Sequence, residues 1–175
     1  MRKIAITSWL LVLSVTLQCT TKPATSAING ATEGSSPREK VKVGADQLDV
    51  LLPMLQNKNI ALVVNHTSLV SGTHLADTLM ASGIGIKKVF APEHGFRGAA
   101  ADGEKISDGV DSRTGLSIVS LYGKNQKPTP AQLADVDLVI FDIQDVGTRF
   151  YTYISTMHYV MEACAELGKK VIILD

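Results

Sequence analysis

Glu93, His94 and Arg97 fall within five residues of one another in the stretch Phe90-Ala91-Pro92-Glu93-His94-Gly95-Phe96-Arg97-Gly98. Together they supply a carboxylic acid, an imidazole and a guanidinium fork. Pro92, Gly95 and Gly98 mark the stretch as a turn-rich loop at the end of an apolar run. A second group, Asp142-Ile143-Gln144-Asp145-Val146-Gly147 followed by Arg149, adds two carboxylates and another guanidinium, and Asn65-His66-Thr67-Ser68 adds an amide, an imidazole and two hydroxyls. Carboxylates from separate loops suit glycoside cleavage. One protonates the leaving oxygen while the opposed one acts as nucleophile or as base for water, at separations of roughly 5–5.5 Å for retention and 6.5–9.5 Å for inversion. On that division of labour Glu93, Asp142 and Asp145 are the candidate catalytic residues. A plainer reading has Asp142 or Asp145 capping the helix that follows and Glu93 pairing with Arg97. A third joins His66 and His94 to Glu93 or Asp142 as metal ligands, but neither H-x-x-x-H nor H-E-x-x-H occurs, and no metal is expected.

Elements of alternating type must position these residues. Continuous apolar runs at 60–64, 87–91, 138–141 and 171–174, with an alternating run at 116–121, predict strands. Helical spacing predicts helices over 46–57, with Asp46 as N-cap and a kink or a restart at Pro53, and over 74–82, with a proline-led turn at 128–133. Phe150, Tyr153, Ile154, Met157, Val160, Met161, Cys164 and Leu167 form the apolar stripe of a last helix, stopped by Gly168. His74, His158 and Cys164 belong to this framework as structural residues. Residues 92–115 show no regular element, and a loop that long implies function.

The alternation predicts an α/β three-layer sandwich with a mostly parallel sheet, Rossmann- or flavodoxin-like. Right-handed crossovers would bring the loops after Val64, Ala91 and Phe141 to the carboxyl edge. Asn65, His66, Glu93, His94, Arg97, Asp142, Asp145 and Arg149 would then surround one crevice. The turn after the first strand lacks G-x-G-x-x-G, and Gly83-Ile84-Gly85 closes a helix instead of opening one, so no dinucleotide cofactor is expected. A chain that ends on Asp175, at the close of a buried strand, reads as a fragment.

The 17 basic and 17 acidic residues balance, which argues against nucleic acid as a partner. Residues 1–18, with Arg2 and Lys3 before a short apolar run, have the form of a signal peptide. Cys19 then resembles a lipoprotein's acylated cysteine, although Gln18 departs from the small residue usual before it, and cleavage near 24–27 would give a soluble exported product instead. Residues 19–40 read as a flexible linker and 41–175 as the folded domain, exported to the periplasm or to the outer membrane or cell surface. With Cys19 acylated, Cys164 has no partner and no disulfide is expected.

Val64-Asn65-His66-Thr67-Ser68, F-A-P-E-H-G-F-R-G at 90–98 and D-I-Q-D-V-G-T-R-F-Y-T-Y at 142–153 together resemble the NamZ family of exo-β-N-acetylmuramidases. The resemblance covers residues 41–175 and implies the Rossmann-like N-terminal part of a two-domain glycosidase, without the second domain. It implies release of terminal β-1,4-linked N-acetylmuramic acid from peptidoglycan-derived muropeptides, with no cofactor. Glu93 would be the acid/base, and Asn65, His66, His94, Arg97 and Arg149 would bind substrate, with Arg97 or Arg149 gripping the lactyl carboxylate. The substrate's acetamido group could serve as internal nucleophile. The rival from another class is a lipid-anchored muropeptide-binding protein without catalysis.

Overall fold

In a computed structural model, residues 41–98 and 104–174 are described. The expected signal peptide, Cys19 and linker lie outside them, as do Asp102, Gly103 and Asp175. After a 3-10 turn at Gly44–Asp46 come α1 (Leu48–Leu55), β1 (Ile60–Val64), β2 (Leu69–Val70), β3 (Thr73–His74), α2 (Leu75–Ala81) and β4 (Ile86–Ala91). They are followed by β5 (Gly109–Val110), β6 (Ser117–Ser120), α3 (Pro130–Leu133), β7 (Leu138–Asp142), α4 (Tyr153–Glu166) and β8 (Lys170–Ile173).

One sheet runs β5-β6-β4-β1-β7-β8, parallel throughout except for β5, and β2 and β3 form a separate hairpin. The chain starts in the middle with β1, moves out through β4 to β6, then returns to the other side of β1 with β7 and β8. That is a doubly wound order, and its direction reverses beside β1. All five residues of β1 and all five of β7 are buried, as expected of central parallel strands covered on both faces. Side chains alternate between two cores. Ile60, Leu62, Val64, Leu138 and Ile140 meet Leu51 and Leu55 of α1 and Leu75 and Leu79 of α2. Ala61, Val63, Val139 and Phe141 meet Leu133 of α3 and Val160, Ala163 and Cys164 of α4. The result is the three-layer arrangement read from the sequence.

Three expectations are corrected and one element is added. The first helix starts at Leu48 with Gln47 as N-cap, so Asp46 belongs to the preceding 3-10 turn; the helix runs through Pro53 without a restart. The β2–β3 hairpin went unread because its strands are too short to show a period; it turns through Ser71 and Gly72, both at positive φ. Among the described residues of 92–115 there is one regular piece, β5, paired antiparallel to the edge of β6. In α4 the buried face is Tyr153, Thr156, Val160, Ala163 and Cys164, whereas Ile154 and Met161 are exposed, and Phe150, also exposed, lies ahead of the helix.

Candidate active site

The carboxyl ends of β1, β4 and β7 bear the three motifs, and parallel pairing puts them at one edge of the sheet. The loop after β1 is stitched to the loop after β7. Ser68 Oγ donates to the carbonyl oxygen of Asp142, and Thr67 Oγ1 accepts the Gln144 N–H at 3.1 Å. Asn65, fully buried, organises this turn: its Oδ1 accepts from Thr67 N–H (2.8 Å) and Thr67 Oγ1 (2.7 Å), and its carbonyl lies 2.9 Å from His74 Nε2. Its Nδ2 makes no hydrogen bond of ordinary geometry among the described residues. Tyr153 from α4 is the side chain beside it, and burial pushes the phenol pKa of Tyr153 upward while contact with Asn65 pulls the other way.

The loop after β4 turns sharply. Gly95 N–H donates to the Pro92 carbonyl at 3.0 Å, and both His94 and Gly95 take positive φ. A non-glycine residue in the left-handed region holds there only when its surroundings fix it. Gly98 closes the loop over His66: a Cβ built on Gly98 would sit 2.6 Å from His66 Nδ1, so only glycine fits. The same loop is anchored at its far end by Arg97. Its Nε and Nη2 donate to the two oxygens of Asp111 at 2.9 and 2.8 Å, and Nη1 and Nη2 reach Asp77 at 3.3 and 3.2 Å. The guanidinium also lies 4.6 Å from the centre of the Phe96 ring. Asp111 accepts further from Thr114 N–H and Oγ1. These contacts, led by the Arg97 fork, hold the Asp111 carboxyl well below the usual carboxylate range.

Glu93, half-buried, therefore does not pair with Arg97; its Oε2 accepts the Thr152 hydroxyl at 3.0 Å. Thr152 is the N-cap of α4, and its side chain makes no capping bond to the helix backbone. Neither Asp142 nor Asp145 caps α4. Asp142 is buried at the end of β7, paired with Val64, while Asp145 is exposed and closes a local turn by accepting the Gly147 N–H at 2.8 Å. Arg149 is exposed between β7 and α4.

His66, Thr67, His94, Gln144, Tyr151 and Tyr153 line a concavity of about 300 Å³ where the direction of winding reverses. The structure thus brings the β1, β4 and β7 loops together as expected, and gives Arg97 partners that fill the fork expected for a substrate carboxylate. Thr152 and the two tyrosines were not singled out as site residues from sequence. Their signal was the T-R-F-Y-T-Y run directly ahead of α4. Among the described residues no group of three His, Cys, Asp or Glu side chains is placed to hold a metal ion.

Residues 60–175 match the family model described as exo-β-N-acetylmuramidase NamZ, N-terminal. A Bacillus subtilis (strain 168) protein named peptidoglycan β-N-acetylmuramidase NamZ is 44% identical over 161 residues, which are 87% of this chain and 37% of that protein. Two crystal structures of DUF1343 family proteins from Bacteroides fragilis NCTC 9343 are similar. One has a TM-score of 0.70 at 40% identity, covering 79% of this chain and 35% of its own. The other has a TM-score of 0.65 at 44% identity, covering 76% and 34%. The chain spans little more than a third of the length of these relatives.

Proposed function

The chain belongs to the NamZ exo-β-N-acetylmuramidase family, whose N-terminal part its residues 60–175 match, and on that premise we propose that the whole protein is an exo-acting glycoside hydrolase. It releases terminal β-1,4-linked N-acetylmuramic acid from peptidoglycan fragments during cell-wall turnover. The observation that carries this reading is the setting of Glu93. It leaves the end of β4 at the edge where the winding reverses, is oriented by the Thr152 hydroxyl, and adjoins a loop bearing His94 and packed over His66.

In this reading Glu93 acts as acid/base: it protonates the glycosidic oxygen as the bond to the anomeric carbon breaks, and then takes the proton from the attacking water. Either Asp142 or Asp145 opposes it, or the substrate's own acetamido oxygen attacks the anomeric carbon. His66, His94 and Arg149 surround the sugar, and Asn65, buried beneath them, shapes the turn that carries His66. Arg97, tied to Asp77 and Asp111, positions the loop instead of contacting substrate. Export, with Cys19 as a lipid anchor and residues 20–40 as tether, completes the proposal.

The test is product identity. The full-length protein incubated with a disaccharide bearing non-reducing terminal N-acetylmuramic acid is expected to release the free acid sugar, seen by mass spectrometry. Tight binding with the disaccharide left intact would instead make it a muropeptide-binding protein.

A further inference from the structure

We propose that the concavity between Lys105 and Lys124 is an anion-binding subsite that takes a carboxylate on the substrate, a step that rests on the muramidase reading for the ligand's identity. This concavity, of about 600 Å³, lies at the carboxyl end of β6 and is lined in part by Lys105, Asp108, Ser120, Tyr122 and Lys124. Ala91 pairs with Ser120, and Leu121 N–H donates to the Ala91 carbonyl at 2.8 Å. The segments Pro92-Glu93 and Tyr122-Gly123-Lys124 therefore leave neighbouring strands side by side, on strands about 4.8 Å apart. Lys105 reaches the same place from the segment before β5, which is fixed to the end of β6 because Asp108 Oδ1 accepts the Ser120 N–H at 2.8 Å.

The concavity connects to Glu93 through shared residues. Tyr122 lines both it and a smaller groove of about 160 Å³ that also contains Thr152, the residue that donates to Glu93. A ligand seated with its reacting bond at Glu93 can extend along that groove to the lysines. The substrate's chemistry calls for a cation there: N-acetylmuramic acid differs from the neutral N-acetylglucosamine by a lactyl ether ending in a carboxylate. Arg97 is occupied by Asp77 and Asp111, Lys88 by Asp135, and Lys127 by Glu162 and Glu166. Lys105 and Lys124 have no ion pair among the described residues, and Asp108, the one acidic side chain in the lining, has an oxygen committed to the backbone. Two ammonium groups against one carboxylate leave the concavity positive, and flexible lysines recognise a partly hydrated carboxylate as point charges. Its source is either the lactyl group itself or an amino acid attached to it.

Calorimetric titration of the full-length protein decides the matter, comparing wild type with the Lys105→Met, Lys124→Met double variant. Both side chains are exposed, so the fold tolerates the change. The double variant is expected to bind N-acetylmuramic acid about ten-fold more weakly, with N-acetylglucosamine unaffected and the wild-type advantage shrinking as salt rises. A loss confined to N-acetylmuramic acid assigns the lactyl carboxylate; one confined to N-acetylmuramoyl-L-alanine assigns the amino-acid carboxylate. Equal affinity of both proteins for both anionic sugars, or no binding of either by wild type, overturns the site. Turnover is scored separately: a wild type that binds the acid sugar but releases none from a disaccharide removes the muramidase reading, and the lysine site still stands or falls on the titration.

Discussion

Arg97 binds two carboxylates from different parts of the chain, Asp77 in α2 and Asp111 after β5, and in doing so ties the charged loop to both. Its guanidinium fork matches carboxylate geometry, so replacement by lysine keeps the charge and loses the paired bonds. Asp111 is buried while Arg97 keeps 28% of its side chain exposed, so Arg97→Ala is expected to lower unfolding stability by roughly 2–4 kcal/mol, somewhat short of a fully buried pair. The pH dependence has a definite sign. The folded pKa of Asp111 is depressed, chiefly by the Arg97 bonds. Its contribution is thus fully present above the unfolded carboxylate value of about 3.9 and is lost as pH falls toward the folded value. Denaturation of wild type and Arg97→Ala between pH 7 and pH 2 should show their difference shrinking below about pH 4; a constant difference would contradict this account. The sequence placed Arg97 in the right loop, but nothing in the spacing of residues 77, 97 and 111 showed that they meet.

Helix α4 shows how far an element can be read from its pattern. The apolar stripe was visible, yet it was wider than the surface it faces, and hydrophobicity does not say which edge of a wide stripe packs inward. The sheet takes Tyr153, Val160 and Cys164 together with Thr156 and Ala163, residues that a search for large apolar side chains passes over. Val160→Ala should therefore lower unfolding stability by about 1.5–3 kcal/mol, since Val160 is fully buried, whereas Ile154→Ser at an exposed position should stay within about 0.5 kcal/mol. Chemical denaturation of the two variants checks the assignment, and the opposite ranking would mean that α4 is rotated. Cys164 fits the same face: burial pushes its thiol pKa up to about 11, which suits a packing residue and not a nucleophile. The parallel strands were legible for a simpler reason, because strands buried on both faces need no period. The hairpin β2–β3 and the edge strand β5, at two residues each, carry no pattern to read.

At the scale of the molecule, the strand order is what turns scattered motifs into a site. Motifs at residues 65–68, 92–98 and 142–153 meet because β1, β4 and β7 are adjacent and parallel. That much followed from the alternation of elements and the handedness of crossovers. The partners within the site did not follow: Glu93 was open to pairing with Arg97, and the structure gives it Thr152. Such contacts depend on loop conformations, including the left-handed backbone at His94, that no local propensity specifies. Since the chain covers little more than a third of its relatives' length, the proposed activity is a property to be measured on the whole protein. The most direct measurement is kcat of full-length Glu93→Gln on a chromogenic N-acetylmuramide, with the melting temperature recorded alongside. Loss of an acid/base predicts a fall of roughly 10²–10⁴-fold at unchanged melting temperature. A variant that retains near wild-type kcat would contradict the assignment of Glu93 and with it the mechanism built on this loop.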